Sequence, residues 1–69
     1  MTLEQAMARF GKNVQRLRIS KKFTQEKMRD LGFNYRYFQK IEAGQVNPTL
    51  GTLIKLSKAL SCKLSDLIE

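Results

Sequence analysis

Leu3, Met7, Phe10, Val14 and Leu17 recur at intervals of four, three, four and three residues. That rhythm puts all five on one face of an α-helix, whereas the faces of a strand alternate every two residues. Thr2, followed three residues later by Gln5, has the form of a capping box, and Lys21-Lys22 suits the negative end of a helix dipole. A helix is therefore expected from Thr2 to about Ser20. Gly11 falls inside it at a cost of roughly 1 kcal/mol relative to alanine, which points to close packing against a neighbour. A seven-residue rhythm this short reads as core packing, not as a coiled-coil seam.

The rest of the chain is punctuated in the same way. Thr24 is a good N-cap for a second helix over Gln25 to Leu31, with Met28 and Leu31 inward and Gly32 as a left-handed C-cap. Asn34 caps a third helix running to about Ala43, with Phe38 and Ile41 inward, and Gly44 ends it. Asn47-Pro48-Thr49 forms a turn and launches a fourth helix whose Leu50, Leu53, Leu56 or Ser57, and Leu60 face the core. A short fifth helix spans about Leu64 to Ile68. No period-two pattern, low-complexity linker or internal repeat is present. The expected fold is all-α, a compact five-helix bundle forming a single domain over residues 1–69.

Composition narrows the function. The chain has no histidine and one cysteine, Cys62, so neither a disulfide framework nor a zinc site is expected, and no cofactor or small-molecule ligand is evident. Ser57, Ser61 and Ser65 have no histidine base, and no carboxylate cluster or phosphate-cradling glycine loop occurs, so an enzyme is not expected. No apolar run approaches the ~20 residues of a membrane span, and Met-Thr-Leu-Glu-Gln lacks a signal region, so the expected location is cytoplasmic. The net charge of +7 is unevenly spread. Residues 1–40 carry ten basic side chains against three acidic ones, and residues 41–69 carry three of each. A basic half beside a neutral half suits a face that meets a polyanion, with a solvated surface as the plainer reading.

The segment Phe23 to Leu50 reads as two short helices joined by a glycine turn. Thr24-Gln25-Glu26, then Tyr37-Phe38-Gln39-Lys40-Ile41-Glu42-Ala43-Gly44, then Asn47-Pro48-Thr49-Leu50 with Leu53 to Leu60, together resemble the Cro/cI-type helix-turn-helix family. That family, also called the xenobiotic response element family, includes lambdoid phage repressors, restriction–modification controllers and antitoxins. The resemblance covers roughly residues 10–68. It implies a lambda-repressor-like domain that binds double-stranded DNA as a dimer, with the third helix in the major groove. By position it places Gln25 on a phosphate and against the recognition helix, and Asn34, Tyr35 and Arg36 on bases and adjoining backbone. Lys40 faces the groove one turn on, and Gln45 and Asn47 meet the DNA backbone. Glu42 pairs with Arg18 as a structural ion pair. The chain departs from the pattern by one missing residue near Arg29-Asp30-Leu31, so the second helix ends early or its turn is tighter, and Arg29 stands where a small buried residue is common.

The side chains themselves suit this role. Arg36 can bond bidentately to guanine O6 and N7, Lys40 can donate to the same acceptors, and Asn34 or Gln39 can pair with adenine. Tyr35 and Tyr37 can lie on thymine methyl groups or donate to phosphate, with packing on the domain surface as the duller reading for Tyr37. The amides at Thr24-Gln25 and Asn34-Tyr35 can hold phosphate oxygens. A homodimer on a two-fold-related operator is expected, with Leu64, Leu67 and Ile68 at its interface because they exceed what one small core needs. Such a dimer would block polymerase, or recruit it from upstream. The alternative is an antitoxin-type or adaptor protein whose main role is binding a protein partner, but such proteins usually carry a further binding segment and none follows Ile68. Cys62 reads as an inert buried thiol.

Overall fold

The computed structural model describes residues 1–69 and contains five helices and no strand: α1 (Leu3–Ser20), α2 (Gln25–Asp30), α3 (Tyr35–Glu42), α4 (Leu50–Ala59) and α5 (Leu64–Ile68). Four of them begin at a side-chain cap. Thr2, Thr24, Asn34 and Thr49 accept from the backbone N–H three residues on, and Gln5 returns a bond to Thr2 N–H to complete the capping box. At α5 the Asp66 carboxylate accepts from the Lys63 N–H at 3.0 Å. These bonds satisfy amides that a helix start leaves without partners.

The exits are equally regular. After α2, Gly32 N–H donates to Arg29 C=O and Phe33 N–H to Met28 C=O, the paired bonds of a Schellman motif. Gly32 takes φ +95°, which a side chain would resist. Phe33 and Met28 are both buried, so the apolar contact that usually accompanies this motif is present too. The same bond pair closes α1 at Lys22-Phe23, α3 at Gly44-Gln45 and α4 at Ser61-Cys62. The second helix thus ends earlier than its sequence suggests: α2 has six residues, and Leu31 is its C-cap instead of its last turn.

α1 packs on α3 and α5, α2 on α3, and α4 on α5. The core is Phe10, Val14, Met28, Phe33, Phe38, Ile41, Leu56, Leu60 and Leu67. Leu56, not Ser57, takes the inward position in α4. Three expectations are corrected. Leu3 and Leu50 are 59% and 65% exposed, because each is the first residue of its helix and projects beyond the neighbouring elements. Leu67 is fully buried. The Asn13 side-chain amide donates to its carbonyl at 2.9 Å, drawing the inner face of α5 onto α1 and removing Leu67 from any surface.

Gly11 lies at the crossing of α1 and α3. A Cβ there would sit 2.5 Å from the Ile41 carbonyl oxygen and 2.9 Å from that of Glu42, both backbone atoms. The close packing expected from the sequence is thus a contact of backbone on backbone. Alanine is the better helix former by about 1 kcal/mol, but overpacking costs about 1–3 kcal/mol and here neither carbonyl can swing aside. Gly11→Ala should lower the free energy of unfolding in urea; a gain would show that the crossing opens freely.

Candidate nucleic-acid interface

Asn34 starts α3 by accepting from Tyr37 N–H at 2.9 Å through Oδ1. With that oxygen committed to the cap, only Nδ2 remains for a ligand, so a bidentate adenine contact from Asn34 would cost the cap. Phe38 and Ile41 turn into the core, which leaves Arg36, Tyr37, Gln39 and Lys40 on the exposed side. Arg36 and Lys40 are one turn apart and neither is in an ion pair, so both charges are available. Tyr37 is 36% exposed, at the border between packing and contact.

Behind this face is a buried polar network. Arg18 Nε donates to Glu42 Oε2 at 2.6 Å and its Nη2 to Oε1 at 3.2 Å. Arg18 Nη1 donates to the Phe23 carbonyl at 2.7 Å. Gln25 Nε2 donates to Glu42 Oε1 at 2.9 Å, and Gln39 Nε2 donates to Gln25 Oε1 at 3.4 Å. The Glu42 side chain is only 4% exposed. The ion pair inferred from the resemblance is present, and Gln25 braces α3 from α2. Gln39 is exposed, and the long bond from its amide to Gln25 joins it to the edge of the brace.

Thr24 is held as the α2 cap through Oγ1, which accepts from Lys27 N–H at 3.1 Å. Gln45 and Asn47 are exposed on either side of the half-buried Val46, in the loop after α3. Four further contacts had no signal in spacing or composition. The Lys55 ammonium reaches from α4 to the Gly32 carbonyl and lies 4.6 Å from the Phe33 ring centroid, securing the turn between α2 and α3. The Tyr35 hydroxyl donates to Glu26 at 3.4 Å, and the Arg29 guanidinium lies 5.0 Å from the Tyr35 ring centroid. Arg29 is exposed.

At α5, Leu64 and Ile68 are 39% and 57% exposed, and Ile68 borders an open groove of about 220 Å³ with Leu3, Phe10, Asn47, Pro48 and Leu53. Cys62 is half-buried against the core. Burial, then the Asp66 carboxylate, push its thiol up from the ordinary range, against a smaller opposite pull from Lys21. It stays protonated and weakly nucleophilic at neutral pH. No helix is long and apolar enough to cross a membrane.

Comparison with known proteins adds to this geometry. Residues 14–67 match the model of a helix-turn-helix family. The chain is 39% identical over 59 residues to the uncharacterized HTH-type transcriptional regulator y4dJ of Sinorhizobium fredii, covering 84% of this chain and 77% of that one. It is 36% identical over 61 residues to the SPbeta prophage-derived uncharacterized HTH-type transcriptional regulator YonR of Bacillus subtilis, covering 87% of this chain and 56% of the relative. In structure it resembles the restriction-modification controller protein C.AhdI of Aeromonas hydrophila, with a TM-score of 0.82 and 32% identity over 88% of this chain and 94% of that one.

The network has a measurable weight. Removing one member of a buried ion pair leaves the other desolvated and typically costs about 3–5 kcal/mol. Glu42→Ala should therefore lower the stability to urea by about 3 kcal/mol, as Arg18 loses both of its carboxylate bonds. A loss below about 1 kcal/mol would remove the pair from its structural role.

Proposed function

The chain belongs to the helix-turn-helix family of the Cro/cI type, and on that premise we propose that this DNA-binding transcriptional regulator acts as a dimer, with α3 in the major groove of a two-fold-related operator. The observation that carries this reading is the outer face of α3. Arg36 and Lys40 stand exposed and unpaired there, on a helix braced from behind by Gln25, Glu42 and Arg18. A bidentate arginine discriminates a guanine from other bases by about 1–3 kcal/mol. The other lysines and arginines supply affinity that is independent of sequence and falls steeply with salt.

In this reading Arg36 and Lys40 read base edges, and Asn34 Nδ2, Tyr35 and Tyr37 touch bases or the adjoining backbone. The start of α2 at Thr24-Gln25, and Gln45 and Asn47 after α3, hold phosphates. Gln39 serves chiefly to fix Gln25. The dimer surface is built from Leu64 and Ile68, apolar side chains on the outer face of α5, with half-sites about one helical turn apart. A bound dimer acts by occupancy of the operator. The protein is expected to work where duplex DNA is exposed to it, in the cytoplasm, and to need no cofactor or catalytic step.

Selection of bound sites from random duplexes, with the mass of the complex measured alongside, tests site, symmetry and stoichiometry together. Failure to enrich a motif would sink the reading. Arg36→Ala and Lys40→Ala should each weaken binding to the selected site about tenfold or more, while binding to unrelated duplex changes far less. Unchanged discrimination in competition gels would displace α3 as the reading element. Ile68→Asp should leave the fold intact and shift sedimentation to the monomer; a dimer persisting unchanged would move the interface elsewhere.

A further inference from the structure

We propose that Arg29, laid against the ring of Tyr35, is a specificity-determining residue that reads a guanine edge adjacent to the bases read by α3. The inference rests on the DNA-reading role proposed above and adds a residue from α2 to it.

The geometry joins two helices. Tyr35 is the first residue of α3, beside Arg36, and is pinned from α2 at two points. Its hydroxyl donates to Glu26 Oε1 at 3.4 Å, and its ring lies 5.0 Å from the Arg29 guanidinium carbon. Glu26 and Arg29 are three residues apart on α2, so they share one side of it. Arg29 is nevertheless in no ion pair with Glu26 or any other carboxylate. An exposed guanidinium resting on an aromatic ring, with no carboxylate to neutralise it, keeps its donors free for a ligand.

The stacking also fixes the plane of the fork. A phosphate can accept such a fork too, but it is common to every sequence and would add affinity without preference. A guanine edge needs two coplanar donors, and an arginine fork laid on a ring reaches that geometry with less loss of rotamer freedom. Tyr35 then acts as the platform that orients the fork, and Glu26 fixes the platform through its hydroxyl. Met28 takes the inward position on α2, and Arg29 beside it is left exposed.

The test is site selection from random duplexes with the full chain and its Arg29→Ala, Arg29→Lys, Tyr35→Leu and Arg29→Ala/Tyr35→Leu variants. Arg29 is exposed, so its two variants keep the fold. Arg29→Ala should lose about tenfold or more of the preference at one guanine per half-site, with the rest of the motif intact. Arg29→Lys should lose the same preference although it keeps the charge. Tyr35→Leu should lose it too, and the double variant should lose no more at that position than Arg29→Ala alone, the sign of two residues acting as one unit. A full motif retained by Arg29→Lys, or an equal loss of affinity by Arg29→Ala on every duplex, would make Arg29 a charge contact and overturn the proposal. A wild-type motif unchanged in Arg29→Ala would overturn the role of Arg29 alone; no wild-type motif would overturn the DNA-reading role beneath it.

Discussion

The Arg18–Glu42 pair is the constraint on which the arrangement of the first three helices depends. A carboxylate this deeply buried is tolerable only if both oxygens are engaged, and here Arg18 and Gln25 engage them. Arg18 belongs to α1, Gln25 to α2 and Glu42 to α3, so satisfying one anion brings three elements to fixed distances. The third arm of Arg18, on the Phe23 carbonyl, adds the loop that leads into α2. The core beneath is apolar and admits small rotations, whereas bidentate bonds do not. The exposed face of α3 thus inherits its orientation from a network that itself faces inward.

Around this network the chain is organised by short, repeated local devices. Side-chain caps start four helices and paired Schellman bonds end four. Such devices matter in a chain of 69 residues, where a small core leaves few other means of fixing helix lengths. They also let α2 close after only six residues. The Schellman closure needs only a left-handed residue in the right place, and Gly32 supplies it. Lys55 then secures the same turn from α4.

Much of this was legible in the sequence because it is local. Thr2, Thr24, Asn34, Gly32 and Gly44 act within four residues of themselves, and five helices follow from them and from apolar spacing. Spacing identifies the apolar face of a helix but not how far its neighbours extend along it. That is why Leu3 and Leu50, both on the inward stripe, emerge exposed at helix starts. The converse happened at α5, where Leu67 read as surplus to a small core and is fully buried in it. Phe33 escaped notice because it lies between periodic segments. The Arg18–Glu42 pair was reached through family resemblance, since 24 residues separate its members and no periodicity links them. Arg29, Glu26 and Tyr35 had neither kind of signal, and only the folded turn brings them together.

At Gly11 two backbones touch with no side chain between them. Side-chain layers can shear by exchanging rotamers, but peptide groups in direct contact have no rotamers to exchange. Sliding of α1 against α3 meets backbone at this point instead of side chains that could give way. On the proposed docking of α3 in the major groove, a duplex whose groove presents a different angle would be met by rocking the whole subunit or by bending the DNA. Part of the selectivity would then lie in the stiffness of the target, at base pairs that no side chain reaches.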